Sequence, residues 1–440
     1  MIESDYLVIG TGPVGVFTLK YLLEKGHTVT IIDNSQKMNP SNDKKELNLK
    51  DFDEKSEVYD LNNTAYLNNK KIFPISSKSR GGFTKVWGGT LNSLSNGEIE
   101  MLEIPLHKYN ETYDEILKVI PNNKHIDGTK EIANLLPSEH FEESILALNP
   151  ENGLVWSSEE LLIKLLNEYS NQVTYLNHID VINIKDKNSS FEIETTENKI
   201  KALVFKIFIC TGTLSSAQIA SRIIRADYFT IKDSNLTVWP LLRLNKNSGF
   251  KKTELLNDKA YTRFIIKFIK NDSLIKFQVF EINNEVIKAI KKRLPIFSKI
   301  IIPFIVAIKN RFYLVFAYKN SKNSPTGIFQ LSRNKTTKIK TLKPEKNISI
   351  FSFFGRFLKY KFLLIPIRYK YRDYGSFHSG NTELYKNDSR IKFNDLGALQ
   401  ISDNIHFIDS TIMKFIPAGP FTISSIIFSR FTLEKILGER

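Results

Sequence analysis

The sequence predicts an α/β fold that contains two kinds of sheet. Residues 5–10 form a short apolar strand pattern that runs into a glycine turn, and a helical pattern follows at 16–25. Residues 204–212 repeat this order, with a helix expected from about Ser215. Strands that alternate with helices predict a parallel sheet. The alternating strand candidates within 226–374 predict a second, α+β domain with a mainly antiparallel sheet.

Length and composition are typical of a globular protein with more than one domain. The chain has 440 residues, of which 42% are hydrophobic, and this exceeds one ordinary core. A single cysteine, Cys210, excludes an intramolecular disulfide and is typical of a reducing compartment. The first strand pattern follows Met1 almost at once, which leaves no basic and apolar leader pattern. We therefore expect a cytoplasmic protein.

The net charge of +15 is concentrated in one region of the chain. Residues 246–372 carry 29 Lys and Arg residues against 6 Asp and Glu residues, whereas the rest of the chain carries 33 against 41. Such a region can attract an anionic membrane surface, a pyrophosphate-linked substrate or an acidic glycan. A solvated, lysine-rich surface is the other interpretation. No nucleic-acid-binding motif accompanies the charge, so no nucleic-acid partner is predicted.

The first glycine turn, residues 10–15, has the spacing G-x-G-x-x-G between a strand and a helix. In this pattern the first glycine permits a tight turn, the second lets the backbone approach a pyrophosphate, and the third allows close packing of helix on strand. A helix N-terminus attracts phosphate, and proline suits its first turn. The predicted dinucleotide contacts in this turn are Gly10, Gly12, Pro13, Val14 and Gly15.

A carboxylate stands where the ribose of a bound dinucleotide is expected. Residues 27–33 predict the second strand, and Asp33 ends it 23 residues after Gly10, where it can accept hydrogen bonds from ribose hydroxyls. Asn34 is included in the predicted site. The same strand and helix unit serves both NAD and FAD, so these residues leave the choice open.

Two later segments are also predicted to reach the cofactor. Residues 79–90 form a second glycine-rich stretch, whose paired glycines let the backbone run flat against a planar ligand. Residues 204–216 bring a third glycine turn and a helix start to the same place. The predicted contacts are Arg80, Gly81, Gly82, Thr84, Trp87 and Gly88 in the second stretch, Cys210, Thr211 and Gly212 in the third, and Val181 on an earlier strand.

The C-terminal part of the chain carries a further block of motifs. His378 stands in Phe-His-Ser-Gly-Asn-Thr, and Asp409-Ser-Thr follows an apolar strand pattern. Residues 417–422, Pro-Ala-Gly-Pro-Phe-Thr, precede an apolar helical pattern. With this block, the sequence resembles the glucose-methanol-choline family of FAD-dependent oxidoreductases, and the similarity extends over four separated motifs in the same order.

The resemblance implies FAD as the cofactor and assigns roles within the C-terminal block. His378 matches the base that takes the hydroxyl proton of an alcohol. Asp409 and Ser410 match residues that contact the cofactor, and Phe421 and Thr422 match the start of a helix aimed at the flavin ring. The residues themselves also allow a hydrogen-bonded cleft histidine at His378 and a helix N-cap at Asp409.

Two positions depart from patterns found among such relatives. The Gly-Gly-x-Thr-x-x-Trp stretch is most similar to the sugar-oxidising, pyranose oxidase-like branch, but Val86 stands where some relatives attach FAD through a histidine. Non-covalent FAD is therefore expected. Gly419 stands at the catalytic position where relatives have His or Asn. Glycine cannot orient a hydroxyl by a side chain, which leaves four alternatives. A side chain from the substrate domain supplies the second hydrogen bond, a water supplies it, the enzyme works with one histidine, or the protein has lost oxidase activity.

These assignments predict an FAD-binding domain at 1–225 and 375–440, in which 93–150 caps the cleft, and a basic substrate-binding domain at 226–374. The predicted function is oxidation of a CH–OH group in a sugar, a glycan or another hydroxylated substrate, anionic and lipid-linked ones included. The electron acceptor is left open. An FAD-dependent reductase, a redox-neutral isomerase and a flavin-binding protein without turnover are the alternatives.

Two segments in the basic region mix cationic and apolar side chains. Residues 287–308 and 352–372 are interrupted by Lys, Arg and Pro within the roughly 20 apolar residues that a membrane span needs. Both patterns suit attachment to the surface of an anionic membrane on its inner face. Core-packed segments whose long cationic side chains reach solvent are the alternative.

Overall fold

The computed structural model describes most of the chain. The described residues are 1–35, 65–67, 70–72, 76–85, 87–123, 136–149, 153, 155–232, 235–244, 262–270, 273–281, 287, 302–303, 311–324, 326–332, 335–342, 353–365, 369–370, 380–419 and 421–439. The predictions for Val86 and His378 therefore concern residues outside the described part of the chain.

The described residues contain seven α-helices and 24 strands. The helices are α1 (Pro13–Glu24), α2 (Asn96–Met101), α3 (Leu106–Val119), α4 (Ser158–Glu168), α5 (Thr213–Ile224), α6 (Phe354–Lys359) and α7 (Thr422–Ile436). The strands are β1 (Ile2–Glu3), β2 (Tyr6–Ile9), β3 (Val29–Ile32), β4 (Ala65–Leu67), β5 (Lys70–Ile72), β6 (Phe141–Glu143), β7 (Val173–Leu176), β8 (Val181–Asp186), β9 (Phe191–Thr195), β10 (Lys199–Leu203), β11 (Lys206–Ile209), β12 (Tyr228–Lys232), β13 (Asn235–Arg243), β14 (Thr262–Lys270), β15 (Ser273–Glu281), β16 (Phe312–Lys319), β17 (Thr326–Ser332), β18 (Lys335–Leu342), β19 (Phe362–Leu364), β20 (Tyr369–Lys370), β21 (Asn381–Lys386), β22 (Ser389–Ile391), β23 (Ala398–Leu399) and β24 (Ser402–Phe407).

A parallel sheet carries the first and the third glycine turns at the ends of β2 and β11. Its strand order is β23-β24-β11-β2-β3-β7, and only the edge strand β23 is antiparallel to its neighbour among the described strands. Alternate side chains of each strand point to opposite faces, so Leu7 joins one hydrophobic core and Val8 the other. Burial of both faces is what a parallel sheet requires. The predicted assembly of this α/β unit from distant segments is confirmed.

Two larger sheets are mainly antiparallel, and both receive strands from residues 226–374. One has the order β19-β13-β16-β15-β14-β6, with β20 also paired to β13, and the other has the order β22-β21-β12-β17-β18-β4-β5. Strand β12 packs toward the parallel sheet, because Phe229 lies in the same core as Leu7. The predicted antiparallel sheet is thus confirmed, while the predicted region contributes to two sheets. A separate four-stranded sheet has the order β1-β10-β9-β8.

The second of the two mixed segments packs within the protein where it is described. Phe353, Phe357 and Phe362 are at most 1% exposed and belong to the core of the β13–β16 sheet. The Arg356 guanidinium lies 5.6 Å from the centre of the Phe353 ring, so the cation covers the core at its edge. Residues 287–308 lie almost wholly outside the described residues. No helix in the described ranges is long and apolar enough to cross a bilayer.

Candidate active site

The first glycine turn joins β2 to α1, and its three glycines lie in different surroundings. A Cβ on Gly10, whose φ is +106°, would lie 2.5 Å from the Cys210 carbonyl oxygen, and a Cβ on Gly15 would lie 1.9 Å from the Gly10 carbonyl oxygen. Both positions thus require glycine for close packing. Gly12, the N-cap of α1, has open space around it in the described structure. Pro13 is the first residue of the helix, as predicted, and Val14 is buried.

Asp33 lies directly beyond β3 and faces the first glycine turn. The hydroxyl of Thr11 donates a hydrogen bond to its Oδ2. Burial raises the pKa of Asp33, although the hydroxyls of Thr11 and Ser35 and the charge of Arg80 act in the opposite direction. Ser35 is itself held by the Tyr175 hydroxyl at 3.0 Å. The carboxylate is therefore fixed at the end of its strand, where the ribose contact was predicted.

The second glycine stretch lies against the first. The Gly81 N–H donates to Thr11 Oγ1 at 3.3 Å, and a Cβ on Gly82 would lie 3.3 Å from Gly12 Cα. The hydroxyl of Ser158, at the start of α4, donates to the Gly81 carbonyl at 2.9 Å, and the hydroxyl of Thr84 donates to the same oxygen at 2.6 Å. The structure thus brings together two glycine motifs that lie some seventy residues apart in the sequence.

Ion pairs and an indole bond anchor the ends of this second stretch. The buried carboxylate of Glu159 accepts from Arg80 Nε at 2.5 Å and also forms an ion pair with Lys85. The indole N–H of Trp87 donates to the Trp156 carbonyl at 2.9 Å. The predicted cofactor contacts at Arg80 and Trp87 are therefore also structural, because both side chains connect this stretch to the region around α4.

Asp409 links the C-terminal block to the third glycine turn. Its Oδ2 accepts from the Gly212 N–H at 2.9 Å and from the Ser216 hydroxyl at 2.6 Å, and its Oδ1 accepts from the Thr411 N–H at 2.9 Å. Burial raises the pKa of Asp409, while these donors stabilise its carboxylate. The N-cap interpretation of Asp409 is correct, since it caps the short 3-10 helix at Ser410–Ile412. A direct contact with the cofactor stays a prediction.

The neighbouring predicted contacts of the third turn are buried to different degrees. Cys210 is 4% exposed, and burial raises the pKa of its thiol well above the ordinary value. The hydroxyl of Thr211 lies 2.9 Å from that of Ser216, whereas Val181 packs into the core beneath α5. Ser410 shares a hydrogen bond of 2.7 Å with the Thr213 hydroxyl.

Gly419 lies beside a lysine from the antiparallel sheet. Its φ is +111°, and a Cβ there would lie 3.1 Å from Cδ of Lys276 on β15. Nζ of Lys276 is 2.9 Å from Glu98 Oε2, and both side chains are less than 5% exposed. Glu98 Oε1 accepts from the Ala418 N–H at 3.0 Å. A side chain at position 419 is therefore disfavoured by both the backbone and the lysine stem.

The start of α7 agrees with the predicted helix. Phe421 is its N-cap and Thr422 its first residue, and the Phe421 side chain makes no capping hydrogen bond. The positive end of the helix dipole lies at this helix start.

The described residues fit a bound dinucleotide. Gly12 and Gly212 are the N-caps of α1 and α5 and have no side chain to cap their helices, although the Gly212 N–H itself donates to Asp409. A Cβ on either glycine would meet open space in the described structure. Free helix N-terminal amides bind pyrophosphate oxygens, and Asp33 supplies a carboxylate for ribose hydroxyls.

Several residues that hold the site together were missed by the sequence analysis. They are Thr11, Glu98, Ser158, Glu159, Lys276 and Gln278. Three of them carried a usable signal, because Ser95-x-x-Glu98 is a capping-box pattern and alternation along 275–280 puts Lys276 and Gln278 on one face. The other contacts are long-range, and no local pattern reports them.

Comparison with known proteins bears on the fold. No protein-family model matches the chain, and no curated protein matches its sequence. Among solved structures, the chain is similar to the crystal structure of pyridoxine 4-oxidase from Mesorbium loti, over 99% of both chains, with a TM-score of 0.58 and 11% identity. At that identity the likeness shows a shared fold, and it covers the parallel sheet and the antiparallel sheets alike.

Proposed function

We propose that the chain is an FAD-dependent oxidoreductase that oxidises a CH–OH group to a carbonyl. The observation that carries this proposal is the meeting of three glycine turns and the C-terminal block at one end of the parallel sheet, opposite an antiparallel strand that reaches Gly419. An N-terminal turn alone supports only a dinucleotide site. The full-length fold shared with an enzyme named as an oxidase adds support.

The residues proposed to hold FAD divide by the part of the molecule that they face. The helix starts at Gly12 and Gly212 would bind the pyrophosphate, and Asp33 would accept hydrogen bonds from the ribose. The stretch at 81–88 would lie along the ring system, and the start of α7 would face its developing negative charge. Bound FAD would supply the acceptor for the hydride that leaves the alcohol carbon.

His378 is the proposed base. Oxidation of an alcohol removes a hydride from carbon and a proton from oxygen, and a neutral imidazole near the hydroxyl can take that proton. His378 would hold the proton on its ring until product leaves. Its role rests on the resemblance of its motif, because the residue lies outside the described part of the chain.

The substrate is proposed at the level of chemical class. Sugars and glycans follow from the resemblance of the 81–90 stretch to the sugar-oxidising branch, and the fold neighbour, an enzyme named for pyridoxine, adds pyridoxine-like compounds. Because 246–372 is strongly basic, anionic and lipid-linked substrates, and an anionic membrane surface as a partner, remain part of the proposal.

The direct test is reduction of the bound flavin under anaerobic conditions by a panel of hydroxylated compounds. We expect at least one of them to bleach the flavin absorbance, and His378→Ala to slow that bleaching by about 100-fold or more because the base is lost. The matched control is His107→Ala, which alters an exposed residue of α3. Bleaching by His378→Ala at the parental rate would remove the proposed mechanism, and a flavin that no compound bleaches would favour a binding protein without turnover.

A further inference from the structure

Strand β15 carries a polar face that is buried. Alternate residues of a strand point the same way, and Phe277 and Val279 lie in the core of their own sheet. Lys276, Gln278 and Phe280 therefore face the other side, yet they are only 3%, 3% and 7% exposed. A polar face of this kind ordinarily points to solvent, so something in the protein or a ligand must cover it.

This face lies next to two glycines, Gly419 and Gly88, that the sequence analysis assigns to the flavin site. At one end, Lys276 Cδ lies 3.1 Å from the position of a Cβ on Gly419. At the other end, Phe280 Cε1 lies 3.8 Å from the position of a Cβ on Gly88. Gln278 lies between these two contacts on the same face of the strand. Its side chain therefore faces the region between Gly419 and Gly88, which is the candidate cleft.

The side-chain amide of Gln278 presents a donor without a partner. Its Oε1 accepts from the Thr262 hydroxyl at 3.4 Å, and Thr262 in turn accepts from the Thr90 hydroxyl at 3.0 Å. Nε2 is buried and has no hydrogen-bond partner in the described structure. With this orientation of the amide, the end that lacks a partner is the donor. A buried NH₂ group with no partner is costly for a protein unless a ligand completes it.

The charge next to Gln278 is balanced within the protein. Lys276 is paired with Glu98, which also accepts the Ala418 N–H. The lysine therefore fixes the strand against Gly419 and brings no net charge to the cleft. Beyond Gln278, the Phe280 ring lies 4.5 Å from the Phe316 ring between centres, and neither ring belongs to a described hydrophobic core. The face thus offers one amide donor and an aromatic wall.

We infer that Gln278 binds the oxygen of the substrate's CH–OH group in place of the side chain missing at Gly419, and that the substrate is a neutral alcohol with a flat apolar part. This inference rests on the proposed function and narrows its substrate class to neutral alcohols, which sets aside the anionic substrates proposed there. Nε2 donates to the hydroxyl oxygen, Lys276 and Glu98 position β15, and the aromatic wall takes the rest of the substrate.

The test uses the protein reconstituted with FAD and two neutral probes. Benzyl alcohol is a reductant, whereas 2-phenyl-2-propanol has the hydroxyl and the ring but no hydrogen on its carbinol carbon, so it binds without turnover. We expect 2-phenyl-2-propanol to perturb the spectrum of bound FAD saturably, and Gln278→Leu to weaken that binding about tenfold. The matched control is Gln330→Leu, the same change at an exposed position of β17, which should leave binding unchanged.

A second measurement separates ligand binding from a structural role. Because Gln278 Nε2 lacks a partner among the described residues and the bond of Oε1 to Thr262 is long at 3.4 Å, Gln278→Leu should keep or raise the melting temperature of the FAD-free protein. A lower melting temperature, or a dissociation constant within about twofold of the parental value, would overturn the assignment of Gln278. Bleaching by glucuronate with no response to either neutral probe would overturn the neutral substrate class. A parental protein that binds no FAD would instead reject the proposed function itself.

Discussion

Asp33 is a partly buried carboxylate whose protonation should control cofactor affinity. Asp33→Asn keeps the size of the side chain but loses the charge that accepts ribose hydroxyls, so we expect FAD binding to weaken about 10- to 100-fold. The measurement is a titration of the FAD-free protein with FAD, followed by protein fluorescence. Glu24→Gln, in an exposed ion pair on α1, is the control.

The raised pKa of Asp33 predicts that the affinity for FAD depends on pH. Burial raises the pKa of Asp33, and ribose hydroxyls favour the ionised form, so protons compete with FAD. Affinity should therefore be full above the raised pKa and fall as the pH drops through it, and Asp33→Asn should lack this acid limb. An identical acid limb in both proteins would show that another group is responsible.

His406 predicts a separate acid sensitivity of the fold. Burial lowers the pKa of His406 from 6.5 to about 4, while its Nδ1 lies 2.9 Å from the Leu396 carbonyl oxygen. Because the folded pKa is lowered, the stabilisation is complete above pH 6.5 and is lost as the pH falls from 6.5 towards 4. The full loss corresponds to about 3 kcal/mol in the free energy of unfolding.

His406→Asn tests this sensitivity, since its amide N–H can replace the imidazole donor to Leu396. Urea unfolding of both proteins between neutral and mildly acidic pH measures the difference. We expect the parental free energy of unfolding to fall more steeply with acid than that of the variant, with the two curves parallel above pH 6.5. Parallel curves throughout would contradict the assignment.

At the scale of elements, the turn from β2 to α1 contains one glycine that the fold requires, Gly15, and one that we expect to bind the cofactor, Gly12. Gly15→Ala places a methyl group 1.9 Å from a carbonyl oxygen, so we expect it to destabilise the FAD-free protein by about 1–3 kcal/mol. Gly12→Ala meets open space at an ordinary φ of −61°, so it should change stability by less than about 0.5 kcal/mol. Its methyl group should nevertheless weaken FAD binding about tenfold or more, because it stands where the pyrophosphate approaches.

The stability and the FAD affinity of both variants are measurable on the same preparations. Urea unfolding without FAD measures the free energy of unfolding, and FAD titration measures the affinity for FAD. Unchanged FAD binding by Gly12→Ala would show that the free space at this helix start is not a phosphate site.

Local patterns predicted the elements around the glycine turns closely. The predicted strands at 5–10 and 27–33, which correspond to β2 and β3, and the helix start at Thr422 agree with the structure, because apolar periodicity, turns and helix starts are local properties. Sheet partners are long-range, and the pairing of β12 with β17 and β21 could not be derived from any of these segments alone.

The candidate site shows the same division between local and long-range information. The glycines, Asp33 and Asp409 stand in recognisable motifs. Lys276 and Gln278 were visible as polar positions on an alternating strand, but the usual expectation for such positions is a solvent-facing side. Their burial depends on β15 facing Gly419 and Gly88, which is a property of the whole fold.

At the scale of the whole molecule, the ion pair of Lys276 and Glu98 ties three distant parts together. Glu98 belongs to α2, Lys276 to β15, and the Ala418 amide bound by Glu98 precedes α7. The antiparallel sheet is thus fixed over the end of the parallel sheet at Gly419. In the proposed oxidation, β15 would face the cofactor from the substrate side at Gly419.

The proposed oxidation depends on FAD binding at this end of the parallel sheet. The most direct measurement is the visible absorbance spectrum of the purified protein, before and after reconstitution with FAD and gel filtration. We predict a yellow protein that carries close to one FAD per chain and releases it on denaturation, as non-covalent binding requires. A colourless protein that retains no FAD after reconstitution would show that this end of the sheet does not bind FAD.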